Sequence, residues 1–238
     1  MPRIQLVLLA TLALSWPTTS PAAAEKATVL EILDGQELYI DQKQAVVRQQ
    51  AATPQQISTK NSRGQLGFEG GAAGRINRFS ALKLGRSCFL LERGQILVSG
   101  AQNGCTRSAR MSVRGTNYII TISEGGNTEL AVLEGAVEVE SMEEKDQKST
   151  PPQTITAGQK LTLTPEGIVL SLLSITAADY NSLLSGPLFT GFKEALPGMA
   201  DLERYLRTSL PGVSLPSGPS LRTPIMPSIP SIPGGRFF

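Results

Sequence analysis

Residues 116–123 read TNYIITIS, and this stretch decides the fold class of the protein. Its β-branched and aromatic side chains are those enriched in strands. A Gly125-Gly126-Asn127 turn separates it from a second run at 129–133, and residues 136–140 (AVEVE) then alternate apolar and acidic side chains. A period of two is typical of a strand with one buried and one solvated face. The segment therefore predicts three successive β-strands.

Similar short strands are predicted on both sides of this segment. Asp34-Gly35, Gly70-Gly71 and Arg93-Gly94 each lie between apolar runs, and each predicts a hairpin turn. Two more strands are expected around the turn at 164–167. Such regular recurrence of strands and turns is typical of a β-sandwich or barrel. We therefore expect an all-β domain of short antiparallel strands over residues 25–175.

The chain that follows this domain has a different composition. Thr176 is a suitable N-cap, and Leu202 and Leu206 belong to an apolar stripe with helical spacing. These features predict a short helical appendix over 176–210. Proline, serine and glycine dominate residues 211–238, which predicts a disordered tail.

The amino terminus has the pattern of a cleavable secretory signal. Arg3 precedes an apolar run at 4–16, and Ala22-Ala23-Ala24 supplies small residues for cleavage before Glu25. The run is too short to span a bilayer comfortably. An uncleaved anchor is the alternative. We expect residues 1–24 to be removed, leaving a periplasmic or secreted protein with no integral membrane segment.

Export makes the two cysteines informative. Cys88 and Cys105 are the only cysteines in the sequence. An even number of thiols in an oxidising compartment predicts a disulfide bond, and closing this loop is worth about 3 kcal/mol. Two buried free thiols are the alternative.

Charge and composition exclude several functions. Lys and Arg number 22 against 20 Asp and Glu, a balance that does not favour nucleic-acid binding. The sequence has no histidine, which removes Ser-His-Asp and Cys-His catalysis and imidazole metal sites. Residues 60–114 are mainly basic and residues 115–170 mainly acidic. We expect these charges to pair across one sheet; a basic face for an anionic partner is the alternative.

Three local patterns resemble catalytic or ligand-binding motifs. Ser80-Ala81-Leu82-Lys83 has the serine–lysine spacing of cell-wall acyl enzymes but lacks their companion motifs. The glycine-rich stretch 67–74 is not followed by the lysine of a phosphate loop. The acidic cluster at 143–146 does not have the spacing of a calcium loop. We therefore predict no enzyme and no catalytic, cofactor-binding or metal-binding residues.

Residues 89–163 resemble the FecR domain of bacterial exported and envelope proteins. The segments that carry the resemblance are LERGQILV at 91–98, VRGTNY at 113–118, VLEGAVEV at 132–139 and AGQ at 157–159. The V-R-G-T element with its aromatic residue, followed by V-L-E-G-x-V-x-V, is a fairly specific combination. Residues 27–85 look like the opening strands of the stand-alone form of the same family.

This resemblance implies an all-β extracytoplasmic module. The best-known members relay a signal from an outer-membrane transporter to a cytoplasmic sigma factor, but this sequence shows neither their cytoplasmic segment nor their membrane helix. We therefore expect an exported, non-enzymatic module that binds an envelope protein or a cell-wall glycan, and signalling is one role that such binding would serve. The alternative is a structural or scaffolding component of the envelope with no specific ligand.

The resemblance also singles out site residues, which we expect to organise the fold. Gly115 would then mark a tight bend or a close backbone approach, and Arg114 would bond carbonyls or an acid such as Glu134. Direct contact with a ligand is the alternative. The motif residues are Arg114, Gly115, Thr116, Tyr118, Glu134 and Gly135.

Overall fold

The computed structural model describes residues 26–142 and 151–216. The predicted signal peptide, the acidic cluster at 143–146 and most of the predicted disordered tail therefore lie outside the described residues. The strands are β1 (Lys26–Leu33), β2 (Leu38–Ile40), β3 (Lys43–Gln44), β4 (Gln50–Ala52), β5 (Gln56–Thr59), β6 (Arg63–Phe68), β7 (Ala73–Ile76), β8 (Ala81–Leu84), β9 (Phe89–Gly100), β10 (Gly104–Cys105), β11 (Ala109–Val113), β12 (Thr116–Ile122), β13 (Thr128–Glu134), β14 (Ala136–Ser141), β15 (Gln153–Thr156), β16 (Gln159–Leu163) and β17 (Val169–Ser174). The helices are α1 (Ala177–Leu184) and α2 (Met199–Ser209). The expected all-β fold with a short helical C-terminal segment is confirmed.

The strands form two sheets that share β9. Sheet I has the order β4–β1–β6–β7–β9–β12–β13–β16–β17. Sheet II has the order β3–β2–β5–β8–β9–β10–β11–β14–β15. Every pair is antiparallel except β9 with β10. In both sheets most neighbouring strands are close in sequence, because the chain supplies one or two strands to one sheet before it crosses to the other.

The shared strand β9 overturns one expected hairpin. Arg93-Gly94 does not reverse the chain: residues 89–93 pair with β8 in sheet II, and residues 94–100 pair with β12 in sheet I. Gly94 lies where the strand changes sheet, with φ +80°. A Cβ there would lie 2.2 Å from the Ser80 Oγ and 2.6 Å from the Ser80 Cα. Only glycine satisfies both the backbone angle and this close approach.

The other two hairpin predictions have opposite outcomes. β6 and β7 pair across Gly70-Gly71, so that hairpin is confirmed. The hairpin at Asp34-Gly35 is wrong, because β1 lies in sheet I and β2 lies in sheet II. Both turn residues have positive φ, +63° and +130°. The sequence signal for a tight turn was therefore correct, but the turn connects two sheets.

The main hydrophobic core lies between the sheets. In β14, Val137 and Val139 are buried while Glu138 and Glu140 are exposed, as the alternating sequence predicts. Tyr118 and Phe89 are among the largest fully buried side chains. Burial of this apolar surface is the main favourable contribution to folding.

The outer face of sheet I carries a second core beneath the C-terminal segment. Leu97, Ile119 and Leu133 project from the sheet and pack with side chains of residues 175–215, which we call the C-terminal layer. Thr176 caps α1 through a capping box, which confirms the expected helix start. Tyr180 of α1 is buried, which raises the pKa of its phenol, and it donates a 2.9 Å hydrogen bond to the Leu133 carbonyl. The helical segment is therefore an integral layer of the domain.

Two arginines attach this layer to sheet I. Arg75 is 6% exposed and donates from Nε to Gln65 Oε1, from Nη1 to the Leu188 carbonyl and from Nη2 to the Glu194 carbonyl. Burial lowers its pKa to about 10, so the guanidinium stays charged at neutral pH. Phe192 lies against it, with 4.2 Å between the Arg75 Cζ and the ring centroid.

Arg63, in strand β6, is the second arginine that bonds to the C-terminal layer. It donates to the Pro187 and Thr190 carbonyls and forms an ion pair with Asp34, whose pKa its hydrogen bond lowers. Arg78 also pairs with Asp34. The expected pairing of the basic segment 60–114 with the acidic segment 115–170 is met in register, where β11 places Arg110 opposite Glu140 of β14. Within the described ranges, however, the ion pairs of the basic residues in 60–114 go to Asp34.

Candidate functional site

Three of the six motif residues, Arg114, Gly115 and Gly135, line a surface cleft of about 410 Å³. It lies where the β11–β12 turn meets the β13–β14 turn, and we call it the motif cleft. Its lining residues are Asn103, Ser112, Val113, Arg114, Gly115, Gly135, Ala136, Glu138 and Thr154. Segments that are distant in sequence, the VRGTNY and VLEGAVEV elements, thus form one site.

Gly115 forms the bend between β11 and β12. Its φ is +75°, a conformation that favours glycine. A Cβ at this position would meet nothing within 4 Å. The tight bend is therefore present, whereas the alternative of a close backbone approach is wrong.

Gly135 is the crowded glycine of the cleft. It also has a positive φ, +84°, and an added Cβ would lie 3.0 Å from Thr116 Oγ1 and 3.3 Å from the Gly115 carbonyl oxygen. The Thr116 hydroxyl donates a 2.9 Å hydrogen bond to the Ala136 carbonyl. These contacts hold the two turns against each other and fix the floor of the cleft.

Behind the cleft, the motif is anchored in the interior. Tyr118 is fully buried, and its hydroxyl donates a 2.5 Å hydrogen bond to the Gln102 carbonyl. Asn117 Nδ2 lies 2.9 Å from both Glu134 Oε2 and the Gly198 carbonyl oxygen. Asn117 therefore connects the motif to the C-terminal layer.

Arg114 differs from these residues. Its side chain is exposed, and no hydrogen bond or ion pair joins it to another residue of the described ranges. The expected pairing with Glu134 is wrong, because that carboxylate binds Asn117. The positive charge of Arg114 therefore borders the cleft and is available to a second molecule.

A disulfide bond lies close to Asn103, one of the lining residues of the cleft. Cys88 and Cys105 form the expected bridge, with their Cα atoms 5.8 Å apart. It holds β10 beside β9, close to Asn103. The Asn103 side chain donates to the Ser87 carbonyl and accepts a 3.0 Å hydrogen bond from the Val113 amide. This polar part of the cleft is therefore rigid before any ligand arrives.

The cleft combines charges of both signs. Arg114 lies near the bend, and Glu138 is exposed on β14, where it pairs in register with Ser112. Thr154 adds an exposed hydroxyl from β15. Together with the peptide groups of two glycine turns, this lining offers both donors and acceptors. Such a surface suits a ligand that is itself polar and of mixed charge, as a polypeptide is.

The local patterns with catalytic resemblance have structural explanations. Ser80 is buried and its Oγ accepts a 3.0 Å hydrogen bond from the Gln95 amide, while Lys83 is exposed on strand β8. They do not lie on the helix that serine–lysine chemistry uses. The glycine-rich stretch 67–74 forms the β6–β7 hairpin. Within 26–142 and 151–216, no group of three His, Cys, Asp or Glu side chains is placed to bind a metal, and no helix is long and apolar enough to cross a membrane.

Sequence reasoning missed the buried arginines Arg63 and Arg75. Both lie in strands beside glycine, where a charged residue is normally expected to face solvent. The only feature of the sequence that could have indicated them is the largely apolar segment 188–196 (LFTGFKEAL), whose Phe192 ring packs against Arg75. Several of their partners are backbone carbonyls more than a hundred residues away, and no local pattern identifies such partners.

Comparison with protein families confirms the FecR resemblance. The family model described as FecR protein matches residues 55–138. The match includes the VRGTNY element and most of the VLEGAVEV element, which form the two turns of the motif cleft. Residues 55–138 of this chain are therefore similar to the FecR family.

Two crystal structures of a proposed anti-sigma factor from Parabacteroides distasonis ATCC 8503 are similar to this chain. The one at 2.50 Å has 14% sequence identity and a TM-score of 0.43, over 64% of this chain and 72% of that chain. The one at 1.65 Å has 14% identity and a TM-score of 0.41, over 64% of this chain and 73% of that chain. No curated protein matches the sequence.

Proposed function

We propose that this protein is an exported, non-enzymatic FecR-domain module that binds a polypeptide partner in the cell envelope through the motif cleft. Binding of that partner would serve signalling, as the family resemblance implies. The proposal depends on one observation above all: Arg114, the most prominent charge of the FecR motif, is exposed at the cleft and bonds to no described residue.

The contrast within the motif supports this role. Gly115, Gly135 and Thr116 build the two turns, and Tyr118 anchors them in the core. Arg114 takes no part in these contacts. Because the turn fixes the backbone of Arg114, binding of a carboxylate or a carbonyl group would have to order only its side chain. The surrounding residues therefore prepare Arg114 to contact a partner.

The mixed charge of the cleft favours a polypeptide over an anionic polymer. Glu138 lies on the same surface as Arg114 and would repel a run of phosphates. A protein segment with a carboxylate and a neighbouring donor can bind both residues. A cell-wall glycan with peptide stems shares part of this chemistry, and the experiment below distinguishes the two.

Two observations support export to the envelope. The first 24 residues have the pattern of a cleavable signal, with small residues at the expected cleavage site. The Cys88–Cys105 disulfide is of the kind that persists in an oxidising compartment. A polypeptide partner is therefore sought among exported proteins and the exposed segments of membrane proteins.

Site-specific photo-crosslinking in intact cells tests the proposal. A photo-reactive amino acid at Thr154, on the edge of the cleft, should capture one or a few discrete proteins, and Arg114→Ala should reduce their yield at least tenfold. The same probe at Glu166, an exposed turn residue that does not line the motif cleft, is the control. Capture of wall glycan, or protein adducts unaffected by Arg114→Ala, would contradict polypeptide recognition at this site.

A further inference from the structure

Strand β17 forms one lateral edge of sheet I and is exposed along its length. Within the described ranges it pairs only with β16, so the backbone groups of its other edge have no strand partner there. Of its six residues, only Ser171 is even half-buried. An edge of this kind is a template on which another strand can add.

The exposed edge is apolar. Ile168 just before the strand is 59% exposed, and Leu170 and Leu173 are each 56% exposed. The register places Leu172 beside Leu161 of the inner core and Leu173 beside Lys160 of the outer face. Apolar side chains therefore project from both faces of the edge, and Val169–Ser174 contains no charged residue.

The other three terminal strands have the usual protection against edge pairing. β3 has two residues, both exposed and polar, and β4 has three residues with Pro54 shortly after it. β15 begins directly after Pro151-Pro152 and has a single apolar residue, Ile155. Short length, polar side chains and proline all discourage strand addition. β17 has none of these three features, and its pairing with β16 shifts register once, between Val169 and Ser171.

We propose that β17 is a self-association edge, at which two copies of this protein pair antiparallel across a two-fold axis. A second copy fits because an isologous contact places each residue against the same uncharged strand. No like charges then face each other, and both rows of leucine lose water contact together. The result is one sheet continuous through both copies.

The protein's own C-terminal tail is a poor occupant of this edge. Prolines recur at every third position, Pro224, Pro227, Pro230 and Pro233. A strand donates to its neighbour from alternate residues, so a proline every three residues interrupts the donors facing either side. A second β17 carries the full set of amide groups.

Sedimentation equilibrium of the mature full-length chain tests the pairing. The wild type should have the mass of a dimer, whereas Leu172→Glu and Leu172→Lys should each have half that mass. Residue 172 lies at the middle of β17, so its two copies are close in any centred antiparallel register. Mixing the two variants in equal amounts should restore the dimer mass, because the introduced charges now attract.

Two controls make the result decisive. Val46→Glu places the same charge on an apolar side chain that is 64% exposed outside β17, and it should stay dimeric. Leu170→Glu and Leu170→Lys repeat the test at a more exposed position in case a Leu172 variant is unstable. A wild type that is monomeric at all concentrations, or charged variants that remain dimeric, would overturn the proposal. A chain that dimerises only after removal of residues 217–238 would identify the tail as the occupant and also overturn it.

Discussion

Arg75 and Arg114 look equivalent in the sequence and differ completely in the structure. Each stands next to a glycine in a β-rich segment, in Gly74-Arg75 and Arg114-Gly115. Arg75 is 6% exposed, and each of its three guanidinium nitrogens donates a hydrogen bond within the domain. Arg114 is exposed and makes no bond to any residue in 26–142 or 151–216. The arginine outside the motif supports the fold, and the arginine inside the motif is available for recognition.

The largest effect should come from removing the buried member of this pair. Arg75→Leu keeps an apolar stem but leaves the Leu188 and Glu194 carbonyls without their donor. We expect the free energy of unfolding in urea to fall by about 3 kcal/mol, as for loss of several buried hydrogen bonds to one charged group. Limited proteolysis should then cleave within 186–198, because this segment loses its attachment to sheet I.

Arg204→Leu is the matched control for this change. Arg204 is an exposed arginine on α2 whose only ion pair with a described residue is with Asp201, one helical turn away. Its replacement should change stability by less than about 0.5 kcal/mol, as for other exposed pairs. If both substitutions lowered the free energy of unfolding equally, Arg75 would contribute no more to stability than an exposed arginine does.

A smaller effect should separate the two glycines of the motif cleft. Both have positive φ, so alanine at Gly115 should cost about 1 kcal/mol for the backbone conformation alone. Gly135→Ala carries this cost and also places its Cβ 3.0 Å from Thr116 Oγ1, so we expect a loss of about 2 kcal/mol. Urea unfolding of both variants measures the difference. If Gly115→Ala lowers the free energy of unfolding more than Gly135→Ala does, the surroundings of the Gly115 bend are not open.

Some features of the fold could be predicted from the sequence because they depend on local patterns. The alternation in residues 136–140 correctly predicts the buried and exposed faces of β14, and Thr176 correctly predicts the start of α1. Strand periodicity and helix capping are both determined within a few residues. The disulfide also followed from residue count and compartment.

The errors arose where distant residues decide the outcome. Arg93-Gly94 has the composition of a hairpin turn, but pairing with β8 on one side and with β12 on the other extends it into a single strand. Gly115 was expected to be a candidate for close backbone approach, yet its surroundings are open, and Gly94 and Gly135 are among the glycines that are crowded. The residues that pack against a glycine, and those that bond to an arginine, cannot be predicted from the residues next to it in sequence.

The most direct test of the central claim is the stability of Arg114→Ala. Because Arg114 is exposed and bonds to no described residue, we expect the variant to have a free energy of unfolding in urea within about 0.5 kcal/mol of the wild type. If Arg114 instead supported the fold through buried hydrogen bonds, the same substitution would lower the free energy of unfolding by about 1–3 kcal/mol. A loss of that size would contradict the assignment of Arg114 to partner recognition.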